Sequence, residues 1–301
     1  MNIVIVGAGA IGSLFGALLS KKNTVVLLAR NQHATAIQQN GLTIIGKTRL
    51  HTKVFATDSP SDITFSPDLL VLTVKSYDTE TAIRQIKTLI QDKTIVVSLQ
   101  NGLDNIEKIQ HIVDQKKLLA GVTTHGAIFS SPGIITHTGK GNTILGELDG
   151  STSDRLQKTV TVFHEAGIST QTSDKVIQEL WAKAIINSSI NPLTAFLNCK
   201  NGYLLTNPLL EKIVEAICEE STRIAQAEGH PFTTDGMIRR TKQVIRNTAK
   251  NSSSMLQSIQ QGKKTEIDAI NGRLAALGKH HGLKTSFNSI LVDLVTSLTK
   301  T

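Results

Sequence analysis

"MNIVIVGAGAIGSLFGALL" (residues 1–19) decides how this chain folds. An apolar run over 2–6 stops at Gly7, and Gly9 and Gly12 follow at the opening of a second apolar stretch with helical spacing. The segment is apolar enough to suggest a secretory leader, but it has no basic start and its glycines are regularly spaced, so that reading is rejected. A strand, a glycine turn and a helix in this order form a phosphate cradle. Gly7 makes the tight turn, Gly9 lets the backbone approach a pyrophosphate, and Gly12 allows close packing of helix on strand. Ala8, Ala10 and Ile11 complete the loop and first helical turn. The unpaired amides of that turn offer partial positive charge to phosphates. The expectation is a dinucleotide site.

Further along, "TVVLLAR" (24–30), "LLVLTVK" (69–75), "TIVVSLQ" (94–100) and "LLAGVTTHGA" (118–127) read as buried strands, with amphipathic stretches such as 78–91 between several of them. That alternation predicts a parallel sheet with right-handed crossovers. The segments 40–56 and 130–148 read as strand-and-turn additions. Beyond about residue 168 helical patterns take over, at 174–190, 207–228, 233–247, 253–261, 264–280 and 285–299. The expected fold is α/β: a Rossmann-type, doubly wound domain over 1–168, then an all-helical domain over 169–301.

Composition narrows the partners. With 40% apolar and 19% charged residues, the 301-residue chain is globular and long enough for two cores. It has no apolar run near the length of a membrane span, and a cytoplasmic location is expected. Cys199 and Cys218 are too few and too far apart for a metal set or disulfide framework. A net charge of +8 raises nucleic acid as a partner, but the basic residues are dispersed and aromatics are only 4%, so an anionic small ligand is the preferred explanation.

Strand ends supply the candidate ligands of the first domain. The second strand closes on Arg30 instead of the Asp or Glu that would accept bonds from ribose hydroxyls, which points to NADPH through a charge-assisted clamp on the 2′-phosphate. Lys75, Asn101 and His125 also fall at strand C-termini, the edge where doubly wound sheets bind ligands. Lys75 could equally cap a strand and Asn101 could simply make a turn; His125 is read as structural. In the second half, Lys183, Asn187 and Asn191 lie at i, i+4 and i+8 in "ELWAKAIINSSINPLTA" (179–195). One narrow polar stripe on an otherwise apolar helix suits a carboxylate or carbonyl with a hydroxyl. The alternative is a stripe buried and satisfied by neighbouring helices. Pro192 predicts that the helix ends or kinks there.

Taken in order, "GAGAIG", "VK" (74–75), "QNGLDN" (100–105), "HGA" (125–127), "WAKAIINSSINPLTA" (181–195), "NSSSMLQ" (251–257) and "TEIDAING" (265–272) resemble the ketopantoate reductase (2-dehydropantoate 2-reductase) family over almost the whole chain. The resemblance implies NADPH-dependent reduction of 2-dehydropantoate to (R)-pantoate on the way to pantothenate and coenzyme A. It also implies a helical domain like that of 6-phosphogluconate dehydrogenase. By position, it implies that Lys183 is the catalytic lysine and that Glu266 is the site acid, contacting a substrate hydroxyl. Asn187, Asn191, Asn251 and Ser254 become substrate ligands, with Lys75 and Asn101 near the nicotinamide and its ribose and Arg30 on the 2′-phosphate. Without the resemblance, Ser254 reads as a helix N-cap and Glu266 as an exposed helix residue. Asp78 departs from the family pattern, standing where many relatives carry glutamine; its charge either weakens cofactor binding or is neutralised by Lys75. Relatives act on several 2-oxo acids and occur as monomers and dimers, so another 2-oxo acid and a homodimer stay open. A sugar-phosphate or imine dehydrogenase, and a non-catalytic NADPH-binding sensor, are the competing readings; intact Lys183, Ser254 and Glu266 argue against the sensor.

Overall fold

The computed structural model describes residues 1–299; the last two residues of the expected helical domain, 300 and 301, lie outside the described residues. Contacts divide the chain into two compact units, one of residues 1–100 and 105–179, the other of 101–104 and 180–301.

The first unit is α/β. Its elements are β1 (Asn2–Val6), α1 (Ala10–Leu19), β2 (Thr24–Leu28), α2 (Asn31–Asn40), β3 (Leu42–Gly46), β4 (Leu50–Thr52), β5 (Phe55–Thr57), β6 (Leu69–Leu72), α3 (Thr79–Gln85), β7 (Ile95–Ser98), α4 (Asn105–Gln110), β8 (Leu118–Thr123), β9 (Gly126–Ser131), β10 (Ile134–Gly139), β11 (Thr143–Glu147), α5 (Asp154–Glu165) and β12 (Thr170–Thr172). The main sheet runs β12-β11-β8-β7-β6-β1-β2-β5. From β5 to β8 every neighbouring pair is parallel, and only β8 with β11 is antiparallel. The strand order reverses at β1, with β2 on one side and β6 on the other, which is the switch point that puts a ligand crevice at the carboxyl ends. β1 shows why the sheet is covered on both faces. Ile3 and Ile5 join one apolar cluster with α1 and α5, and Val4 and Val6 join a second with α3 and α4. Each such buried side chain contributes roughly 1.5–3 kcal/mol relative to exposure. Of the expected additions, β3, β4 and β10 form a second sheet with β9, in the order β4-β3-β10-β9, whereas β11 (143–147) and β5 (55–57) join the main sheet.

The second unit is helical: α6 (Val176–Phe196, from Leu180 on), α7 (Pro208–Ala227), α8 (Thr234–Asn247), α9 (Ser254–Gln260), α10 (Arg273–His280) and α11 (Ser286–Thr299). A π-helical turn, Asp268–Gly272, leads into α10. No described helix is long and apolar enough to cross a membrane. One sequence expectation needs correction. Pro192 does not end α6, which continues to Phe196. Proline removes the donor for the carbonyl four residues back. That carbonyl, Ser188 O, instead accepts from the Asn271 side chain at 3.2 Å. Two residues further on, the Thr194 hydroxyl bonds back to Ile190 O and Asn191 O, each at 3.0 Å.

Candidate active site

In the first unit, the glycine turn is fixed by its own packing. Gly7 has φ +94°, and a Cβ there would stand 2.6 Å from Val74 N. A Cβ on Gly12 would lie 2.5 Å from Gly7 O and 2.4 Å from Thr73 Oγ1. Both positions therefore exclude larger residues on steric grounds alone. Gly9 differs. Its Cβ would meet nothing closer than Gly7 O at 4.0 Å, so no neighbour in the protein requires glycine there. The open space is where a ligand backbone would come close. The amides of Gly7 and Ala8 are spent on Leu28 O, whereas those of Ala10, Ile11 and Gly12 open α1, have no intrahelical acceptor and lack a side-chain cap. No acidic residue stands in that turn. The cradle fits an anion.

Arg30 N-caps α2 and is exposed. The second strand itself ends without a carboxylate, but the fold brings carboxylates to its end from elsewhere in the chain. Asp78 Oδ2 lies 4.0 Å from Arg30 Nη2, and Asp58 Oδ2 accepts from the Asn31 side chain at 3.0 Å. Both carboxylates come from the ends of other elements, so proximity along the chain concealed them. Lys75 follows β6 and N-caps the short 3-10 turn Ser76–Asp78. Gln100 holds that segment, donating to Val74 O at 3.1 Å and to Thr79 Oγ1 at 2.7 Å. Asn101 comes next in the chain but groups with the helical unit, where Leu103 N donates to Ala269 O.

His125 follows β8, and its Nε2 is buried without a partner among the described residues. Its ring sits edge-on to Phe15 and 3.3 Å from His137, and burial pushes its pKa down to about 4.

The helical unit brings the other candidates together. Lys183 and Glu266 are electrostatically coupled: burial pushes the ammonium down to about 8, and the Glu266 charge opposes the fall. Glu266 is 6% exposed, contrary to its reading as an exposed helix residue from sequence alone. It precedes the π-helical turn, a feature that concentrates at functional sites. Ile267 beside it shares an apolar cluster with Ala195 of α6 and with Met255 and Leu256 of α9. Thr194 also donates to Ser253 Oγ at 2.8 Å. Ser253, not Ser254, caps α9, accepting from Leu256 N. Ser254 is therefore exposed with its hydroxyl uncommitted, and the Asn251 side chain is exposed nearby in sequence. Asn191 is only 7% exposed, and Asn187 is half-buried. Among the described residues neither side-chain amide makes a hydrogen bond, and neither is among the buried polar atoms left unpaired, so both are accessible to water or a ligand. Sequence reasoning missed Thr194 and Ser253, although their hydroxyls lie within quoted motifs.

A phosphate cradle at a Rossmann switch point, with a coupled lysine and buried glutamate on a helical unit, defines a pyridine-nucleotide-dependent oxidoreductase. Residues 3–150 match the family model described as ketopantoate reductase PanE/ApbA, and residues 175–299 match that of its C-terminal region. The chain belongs to the ketopantoate reductase family, and it is an oxidoreductase acting on a CH–OH group. A 2-dehydropantoate 2-reductase of Pyrococcus abyssi is 39% identical over 98% of this chain and 97% of its own. The crystal structure of a PanE/ApbA family ketopantoate reductase from Ralstonia eutropha superposes with TM-score 0.90 at 31% identity, covering 99% of this chain and 98% of that one. D-mandelate dehydrogenase with NADH and anilino(oxo)acetate superposes with TM-score 0.93 at 27% identity, covering 99% and 98%.

Proposed function

We propose that the chain reduces 2-dehydropantoate to (R)-pantoate with NADPH, in cytoplasmic synthesis of pantothenate and coenzyme A. The observation that carries this reading is the Lys183–Glu266 couple, on the same helical unit as Asn187 and Asn191. NADPH, when bound, supplies the hydride. Ala10, Ile11 and Gly12 would hold its pyrophosphate through their amides, with Gly7, Ala8 and Gly9 shaping the approach and Arg30 meeting the 2′-phosphate. Lys75 and Asn101 serve the nicotinamide end.

Lys183 points its charge at the keto oxygen, where negative charge builds as the C=O π bond breaks and the new C–H bond forms. It then gives that oxygen a proton, completing the alcohol, and recovers one from water. An ammonium pKa of about 8 suits this work: roughly nine in ten molecules are protonated at neutral pH, yet the proton is held far less tightly than in free lysine. Glu266 keeps the ammonium charged and accepts from a substrate hydroxyl. Asn187, Asn191, Asn251 and Ser254 bind the carboxylate and the remaining oxygens.

The experiment is oxidation of NADPH or NADH with 2-dehydropantoate and a panel of other 2-oxo acids. Turnover restricted to 2-dehydropantoate with NADPH supports the proposal, and preference for a different oxo acid overturns its substrate. A second reading, NADH use, is favoured by Asp78 beside Arg30 and by the NADH in the D-mandelate dehydrogenase structure. The same assay separates the two cofactors.

A further inference from the structure

Pro192 and Asn271 answer one another. Proline inside α6 leaves Ser188 O without the backbone donor a helix normally provides. Asn271 lies in the π-helical turn, is fully buried, and directs Nδ2 at that carbonyl. The same Nδ2 donates to Asn288 Oδ1 at 2.9 Å. The orientation of these amides is not arbitrary. Asn288 Nδ2 faces the Glu220 carboxylate at 2.8 Å, which leaves Asn288 Oδ1 for Asn271. Both partners of Asn271 are thus acceptors, and turning its amide over would set oxygen against oxygen. Glu220 is itself fixed by the amides of Phe287 and Asn288. The result is a buried relay from the start of α11, through Asn271, to a broken rung of α6.

That rung lies little more than one turn beyond Lys183, and Asn271 lies little more than one turn beyond Glu266. The π-turn inserts an extra residue there, so that Arg273 N reaches back to Asp268 O. Backbone hydrogen bonding alone does not tie this turn to α6. We propose that Asn271 is a positioning residue, which uses the carbonyl vacated by Pro192 to set the Glu266 segment against the Lys183 segment of α6. The tether runs through Nδ2 alone: Asn271 Oδ1 is buried without a partner among the described residues, so the two Nδ2 bonds are what hold the amide in place. The proposal rests on the reading of Lys183 and Glu266 as the catalytic couple.

Two variants separate positioning from simple structural support. Asn271→Ala removes the tether and orphans Ser188 O. Adding Pro192→Ala returns a backbone N–H to that carbonyl without reconnecting the π-turn. The expected result for Asn271→Ala is a fall in kcat of about a hundredfold, with NADPH affinity unchanged. The alkaline limb of its pH–rate profile should move to lower pH, because Lys183 loses part of the support of Glu266. In the double variant Tm should recover while kcat and the alkaline limb do not. Recovery of kcat together with Tm would overturn the proposal, as would Asn271→Ala turning over within twofold of the parent with an unmoved limb. If Asn271→Ala does not fold, Asn288→Ala frees the Asn271 amide to turn and is expected to move the limb the same way; an unmoved limb overturns the proposal there too. Absence of turnover by the parent enzyme on every 2-oxo acid would instead strike the functional reading. The tether is then judged by the Lys183 titration followed by NMR, which Asn271→Ala should lower and which an unchanged midpoint would refute.

Discussion

Replacing Lys183 with alanine removes the one charge asked to act on the reacting oxygen. An ammonium about 4 Å from a developing alkoxide, at an effective dielectric of about 20, is worth about 4 kcal/mol. Such a loss corresponds to about a thousandfold in rate, before any proton transfer is counted. Proton donation adds to this, so kcat for the oxo acid should fall by at least about 10³ in Lys183→Ala. NADPH affinity should change little, because the residues proposed for phosphate binding belong to the sheet unit. The pH profile gives a second, independent reading. With the ammonium pKa lowered to about 8, the parent enzyme should lose kcat/KM as pH rises through that value, since the protonated form is the active one. In the variant this limb should vanish, leaving a flat alkaline profile on a low rate. Steady-state assays across pH, with cofactor binding followed by nicotinamide fluorescence, measure both. A variant that keeps a tenth of the activity, or keeps the alkaline limb, would refute the assignment of Lys183.

Three other outcomes follow from the sheet unit. Gly9→Ala should leave Tm within about a degree of the parent, since its Cβ enters open space, yet raise KM for both nicotinamide cofactors; Gly7→Ala, forced against Val74 N at positive φ, should lower Tm instead. Arg30→Ala should raise KM for NADPH much more than for NADH, and Asp78→Asn should lower it for NADPH by severalfold by releasing Arg30 from its 4.0 Å partner; equal effects on both cofactors would remove the 2′-phosphate role. His33 is 3% exposed, and burial lowers its pKa from 6.5 to about 4. Gly133 N donates to its Nδ1, so the neutral ring carries its proton on Nε2 toward Ser13 Oγ. The unfolded chain binds the extra proton first, so stability is fully present above pH 6.5 and drops by about 1–3 kcal/mol as pH falls to 4, as denaturant titrations at several pH values would report.

Much of the sheet unit was legible because its signals are local. Buried parallel strands are continuous apolar runs, and the glycine turn carries its own steric reasons at Gly7 and Gly12. Strand lengths were overread by a few residues: "LLVLTVK" was read to Lys75, whereas β6 ends at Leu72. Asp58 and Asp78 were hidden for the opposite reason: their approach to Asn31 and Arg30 depends on the strand order β6-β1-β2-β5, and no local pattern encodes that. Glu266 was legible only through resemblance, because a single glutamate ahead of an apolar helix looks like any exposed first-turn residue.

The hardest feature to read was α6. Its polar stripe admitted two explanations, internal satisfaction or a ligand, and only a hydrogen-bond accounting distinguishes them. Among the described residues the Asn187 and Asn191 side chains make no hydrogen bond, while Asn271, fully buried, has two acceptors for its Nδ2 and none of the described groups on its Oδ1. Asn271 is tied into the fold through its Nδ2, whereas the Asn187 and Asn191 amides are open to a ligand or water. Pro192 belongs to the same logic. It reads as a stop signal when only the broken rung is considered, but the unit contains a side chain placed to fill that rung. A proline in a helix interior is then a vacant acceptor as much as a breaker, and the residue that answers it, Asn271, is the position where a substitution far from any substrate atom should be felt in the rate.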